Sequence, residues 1–186
     1  FVQAKRGELD EALSLLWDAL RIRKLQEDNI KISETLKNIG NVHREKEEYE
    51  LAIECYEECL KIRKAELGDE HEKVADAYVA IGNVQSDMEK RKSAMSSYQE
   101  ALQIRRRLFG PQDESVAAVL QYMGTLEFHA KRLDRALQLL NDFINIREGL
   151  NTERDGDYVN VLFMIGNIHK MEGDEEQAQS CWTEAY

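Results

Sequence analysis

Proline is nearly absent: Pro111 is the only one in 186 residues. Because proline breaks helix interiors, its scarcity leaves the chain free to form long helices. No apolar run approaches the roughly 20 residues that a membrane-crossing helix needs, and the first residues lack the pattern of a secretory signal. Cationic charge is in deficit, with 25 Lys and Arg against 36 Asp and Glu and a formal net charge of −11. Such a chain repels phosphate backbones and anionic lipid, which argues against nucleic acid or membrane as a partner.

Cysteine is scarce and odd in number: Cys55, Cys59 and Cys181. The pattern predicts reduced, buried thiols in a cytoplasmic protein instead of a disulfide framework. Cys55 and Cys59 stand four apart on one helix face, but a metal site would need two further ligands, so none is expected. His43, His71, His129 and His169 are the only imidazoles. His71-Glu72 has no second histidine four residues after the first, and no phosphate-cradling glycine loop or nucleophile elbow is present. The chain is therefore expected to be no enzyme and to carry no cofactor.

What the sequence does contain is a repeat. Ile39-Gly40-Asn41-Val42 returns as Ile81-Gly82-Asn83-Val84, Met123-Gly124-Thr125-Leu126 and Ile165-Gly166-Asn167-Ile168, one copy every 42 residues. Twelve residues after each glycine comes an alanine (Ala52, Ala94, Ala136, Ala178), and four after that a large group: Tyr56, Tyr98, Leu140 or Trp182. Apolar spacings of three and four are helical. Each unit thus reads as two helices, A around the glycine and B around the alanine, separated by the polar stretches 44–48, 87–91, 129–132 and 170–175. A mid-helix glycine costs about 1 kcal/mol against alanine, so four in register predict close approach of helix A to the alanine of helix B.

Helix B ends in Leu60-Lys61-Ile62-Arg63, Leu102-Gln103-Ile104-Arg105 and Ile144-Asn145-Ile146-Arg147, with an earlier copy in Leu20-Arg21-Ile22-Arg23. Cations at a helix C-terminus favour its dipole and nearby acids, so these arginines read as structural. Arg105-Arg106-Arg107 reads likewise as a solvated helix end. Leu9-Asp10-Glu11-Ala12 mirrors Leu133-Asp134-Arg135-Ala136 and predicts a hairpin before residue 8. The expected organisation is a single array over 1–186: a partial repeat over 1–24, repeats at about 30–66, 72–108 and 114–149, and a partial repeat over 156–186. Phe1 would lie in the tail of a helix A and Tyr186 inside a helix B. Neither end has the polar face of a cap, so a fragment with neighbouring repeats or subunits at both ends is expected.

With the glycine, alanine and aromatic positions in place, the pattern resembles the tetratricopeptide repeat. The 42-residue unit, and loops such as Leu67-Gly68-Asp69-Glu70-His71 and Phe109-Gly110-Pro111-Gln112-Asp113, are similar to the kinesin-light-chain variety. The resemblance implies an all-α fold, an α-solenoid of antiparallel helix hairpins in a right-handed superhelix with no sheet. It also implies that helix A lines a concave groove bearing Lys37, Asn41 and Arg44; Val79, Asn83 and Ser86; Gln121, Thr125 and Phe128; and Phe163, Asn167 and Lys170.

An asparagine amide both donates and accepts, so the row of Asn41, Asn83 and Asn167 suits the backbone of an extended peptide. The alternative is that these amides satisfy local backbone groups. A clamp for a terminal carboxylate is half present in Lys37 and Asn41, but Gln121 and Thr125 stand where it needs charge. The drift from Lys37 and Arg44 to Phe128, Phe163 and nearby Met171 fits a peptide with an apolar anchor flanked by acids, unless the two rings pack between neighbouring A helices. The expected function is a protein-interaction module, adaptor or scaffold, binding a peptide or partner helix. The alternatives are a regulatory segment of a multidomain protein such as an NTPase, and a structural subunit of a large complex.

Overall fold

Nine helices account for nearly all of the described chain. The computed structural model describes residues 2–185, with side chains from residue 7 onward; Phe1 and Tyr186, to which the readings of the two ends refer, lie outside the described residues. The helices are α1 Val2–Leu25, α2 Asn29–Glu45, α3 Tyr49–Leu67, α4 Glu72–Asp87, α5 Arg91–Phe109, α6 Glu114–His129, α7 Leu133–Gly149, α8 Gly156–Glu172 and α9 Glu175–Glu184. No strand occurs among the described residues. Helices α2, α4, α6 and α8 are of type A, and α1, α3, α5, α7 and α9 of type B. Two compact units divide inside α5, one ending at Ile104 and the other beginning at Arg105.

The turn from A to B is the same device each time. Glu47, Glu89, Lys131 and Gly173, 42 residues apart, adopt positive φ of 61°, 57°, 59° and 87°. Around Glu47 the amide of Glu48 reaches the carbonyl of His43 at 2.8 Å and that of Glu47 reaches Arg44 at 2.9 Å. This pair of bonds closes a Schellman motif and satisfies carbonyls that the helix end leaves orphaned. Three of the four left-handed positions carry side chains, although glycine would occupy them with less strain.

Type A helices begin on acid caps. Asp28, Asp113, Asp155 and Asp174 accept from backbone amides two or three residues on, at 3.0, 2.8, 3.0 and 3.0 Å; the last of these caps the B helix α9. At α4 the ring of His71 does the same for Lys73 at 3.1 Å.

The expected hairpin before residue 8 is not there: α1 is continuous from Val2 to Leu25. Gly7 stands in register with the four reversing residues yet is helical. Glycine costs a helix interior only about 1 kcal/mol against alanine, and α1 runs through Gly7 without reversing.

The core of the first unit joins Leu13 and Leu20 of α1 to Ile32, Leu36 and Ile39 of α2, Cys55 and Cys59 of α3 and Ala77 of α4. A second cluster places Ala52 and Tyr56 against Ile81 and Val84. The second unit buries Val116, Leu120 and Met123 of α6, Leu140 and Phe143 of α7, Val161, Leu162 and Ile165 of α8 and Ala178 of α9.

The glycines explain how A and B meet, and differently from the sequence expectation. A Cβ on Gly40 would stand 2.7 Å from Tyr56 Cε1, on Gly82 2.6 Å from Tyr98 Cε1, on Gly124 2.6 Å from Leu140 Cδ2, and on Gly166 2.4 Å from Trp182 Nε1. The close partner is the large residue four after the alanine, not the alanine itself. Each glycine is a notch into which that side chain is pressed.

B is fastened to the following A by arginine. Arg23 donates to the carbonyl of Lys31 at 2.9 Å, Arg63 to Lys73 at 2.6 Å, Arg105 to Ser115 at 2.8 Å and Arg147 to Glu153 at 2.7 Å. Arg147 also pairs with Asp155 at 3.0 Å. The arginines are structural as expected, but the main partner is a backbone carbonyl and not the helix dipole.

Gly82→Ala is expected to lower stability by about 1–3 kcal/mol through overpacking. In urea denaturation the loss should shrink when Tyr98→Ala removes the opposing ring, giving a coupled double-mutant cycle.

Candidate functional site

Between six and eight residues of each A helix are buried, and the rest form the face open to ligands. In the first unit α2 and α4 lie side by side, linked by Arg44 Nε to Asp87 Oδ2 at 2.6 Å and by Lys73 Nζ to Glu34 Oε1 at 2.8 Å. In the second unit Thr125 Oγ1 of α6 approaches Met164 Sδ of α8 at 3.8 Å.

Asn41 is exposed, Asn83 is half-buried, and neither is committed to local backbone. Tyr56 donates its hydroxyl proton to Asn41 Oδ1 at 2.6 Å, and Tyr98 does the same to Asn83 at 2.8 Å. Burial pushes the Tyr56 phenol up to about 12, so it remains a donor at neutral pH. The ring that fills the glycine notch therefore also holds the residue after the glycine. In the third hairpin Leu140 has no hydroxyl, and Thr125 takes the asparagine's place. In the fourth Asn167 is exposed beside Trp182, whose Nε1 is buried without a hydrogen-bond partner.

The remaining positions diverge from the expected row. Lys37, Ser86 and Gln121 are half-buried, and Lys170 is exposed with its ammonium 5.6 Å from the Trp182 ring. Val79 is a correction: it is a buried core residue and offers no surface to a ligand. The same position is half-buried in Lys37, Gln121 and Phe163, and the small apolar side chain of Val79 is the one drawn in. Phe128 is half-buried, edge-on to His129 at 5.6 Å with Lys131 over its ring at 5.8 Å. Phe163 is half-buried and Met171 is exposed.

Arg44 is not the free cation that the sequence suggested. The Asp87 carboxylate holds its guanidinium above its ordinary pKa. An open cavity of about 490 Å³ lies beside it, lined by Asn41, Arg44, Glu45, Glu47, Tyr49 and Asp87. Three carboxylates against one guanidinium make its rim acidic. Sequence reading missed Tyr56, Tyr98 and the rim acids, although the paired change of Asn–Tyr to Thr–Leu in the third unit was a visible signal.

The position three after the glycine holds the hairpin. His43 Nδ1 lies 2.6 Å from Glu48 Oε2, and Lys46 reaches both Glu48 at 3.0 Å and Asp10 of α1 at 2.7 Å. Hydrogen bonds from His43 and then Lys46 hold the Glu48 carboxyl below its ordinary pKa. Ser97 donates to Gln85 at 2.8 Å, and buried Glu127 faces Arg132 at 3.8 Å. The three thiols are free. Burial and the acids Glu58 and Glu54 push Cys55 up to about 11, and burial raises Cys59 and Cys181. Among the described residues no three of His, Cys, Asp and Glu gather as metal ligands, and no helix is long and apolar enough to cross a membrane.

The tetratricopeptide-repeat profile matches residues 1–63, 31–107 and 92–149. The chain belongs to the tetratricopeptide-repeat family. Members of this family are in general non-catalytic scaffolds for protein binding. The fold is similar to that of BtubC (BKLC) from P. vanneervenii, at 26% identity and a TM-score of 0.85, covering 98% of this chain and 74% of that one. A P. anserina putative kinesin light chain with nearly identical TPR-like repeats gives 13% identity and a TM-score of 0.77, covering 97% of this chain and 87% of that one. RapI gives 16% identity and a TM-score of 0.82, covering 99% of this chain and 50% of that one. No curated protein sequence matches this tetratricopeptide-repeat chain. Its repeats are of the kinesin-light-chain-like type, and its class is the all-α solenoid of helix hairpins.

Because the folded-state pKa of Glu48 is depressed, its contribution to stability is complete above the unfolded value and is lost as pH falls through the folded one. Glu48→Gln should thus destabilise the chain at pH 7. Thermal melts should show the gap between variant and native closing as pH drops below about 4.5, the ordinary glutamate range.

Proposed function

We propose that the chain is a protein-interaction module that takes an extended peptide or partner helix on its helix-A faces, as an adaptor or scaffold. The observation that carries this reading is the pair of asparagines, Asn41 and Asn83, held by tyrosines on adjacent helices with their amides at the surface. The first face adds Lys37, Arg44 and Ser86. The second offers Gln121, Thr125, Phe128, Phe163, Asn167 and Lys170, where half-buried rings supply apolar contact. A ligand that lies across an array of such faces gains from every repeat it spans.

The acidic rim beside Asn41 shifts the ligand expected there. With Arg44 bound to Asp87, the cavity favours a basic or neutral side chain over the acidic flank inferred from Arg44 alone. The formal charge of −11 supports a protein partner over nucleic acid. Free, buried thiols support a reducing compartment, and we place the protein in the cytoplasm.

A second reading, a segment of a longer array or a subunit packed in a complex, is favoured by α1. Leu15 is 66% exposed and Ile22 50%, whereas of the residues that match Ile22 in register Ile62 is half-buried and Ile104 and Ile146 are 7% and 4% exposed. Their greater burial supports a neighbouring helix over α1.

The test is a quantitative pull-down with the chain and with its Asn41→Ala, Asn83→Ala, Asn167→Ala variant. Loss of specific partners from the variant is expected. Recovery of the same partners in the same amounts would overturn the reading.

A further inference from the structure

We infer that Tyr56 and Tyr98 fix the two asparagines of the first unit as hydrogen-bond donors, so that this face selects ligand atoms that accept, as peptide carbonyls do. The inference rests on the peptide-binding reading above and gives it a polarity.

A free asparagine is ambivalent, because rotation by half a turn exchanges its carbonyl and amino groups. Here that rotation is opposed. The Tyr56 ring is almost fully buried and is pressed into the Gly40 notch, and the Tyr98 ring occupies the Gly82 notch in the same way. Their hydroxyls are therefore fixed in space, and each donates to Oδ1 at 2.6 and 2.8 Å. Turning either amide would make the hydroxyl an acceptor and take from its proton the asparagine oxygen that now receives it. Among the described residues no hydrogen bond takes up the Nδ2 protons of Asn41 or Asn83, and Asn41 borders the open cavity. The amino groups are thus what the surface presents.

This polarity belongs to the first unit alone. In the third hairpin the residue in the tyrosine's place is Leu140, which has no hydroxyl, and in the fourth it is Trp182, whose only polar side-chain atom is a donor. Tyr56 and Tyr98 act as positioning residues that need not touch the ligand.

The probe is a dodecapeptide selected from a randomised display library on the intact chain, with affinity measured by fluorescence anisotropy. In Asn41→Asp and Asn83→Asp the carboxylate still accepts from tyrosine but no longer donates, so each should weaken binding about tenfold, at least as much as the alanine variant does. Tyr56→Phe should weaken binding about threefold by freeing the amide. In NMR spectra of the native complex the side-chain amino protons of Asn41 and Asn83 should shift, and in Tyr56→Phe those of Asn41 should lose that shift. Aspartate variants that bind like the native chain, while the alanine variants bind weakly, would overturn this inference and leave the reading standing. Alanine variants without effect, or a library that yields no binder, would overturn both.

Discussion

The insertion of a helix-B side chain into a helix-A glycine is the contact on which the other features depend. Tyr56, Tyr98, Leu140 and Trp182 each lie where a methyl group on the facing glycine would collide with them. That contact brings the axes of the hairpin together and buries the ring. It also determines which polar residue beside the glycine gains a partner. Packing and the surface chemistry beside the glycine thus follow from one steric match.

The helix pairs, their turns and the 42-residue register could be read from the sequence, because they rest on periodicity and on small residues in fixed places. The reversal points were found within a residue or two of their observed positions. What periodicity could not show was which side chain enters the notch, since glycine–alanine and glycine–ring contacts leave the same trace in a linear pattern. Gly7 shows the converse limit. Its register was right, but glycine is also tolerated inside a helix at about 1 kcal/mol, and α1 runs through it.

The candidate site was legible in outline and less so in its electrostatics. Asn41 and Asn83 reach the surface as their positions imply, whereas Val79 is drawn into the core. Arg44 looked cationic because its partner Asp87 lies 43 residues away, just over one repeat on. Pairs at that separation are invisible along the chain, but they are systematic in a repeat. In the third unit Thr125 stands for the asparagine where Leu140 replaces the tyrosine that would hold it.

The arginines that fasten each B helix to the next A grip backbone carbonyls in the complete set, from Lys31 to Glu153. A carbonyl is the same whatever side chain its residue carries. The carbonyl part of the joint therefore places no demand on the identity of the residues it clasps, although Arg147 adds the Asp155 carboxylate, and much of the connection falls to main-chain atoms. The side chains of an A helix are left freer to diverge. Neighbouring repeats can in this way acquire unlike recognition surfaces, such as tyrosine-held amides in one and half-buried rings in another, without loosening the array that carries them.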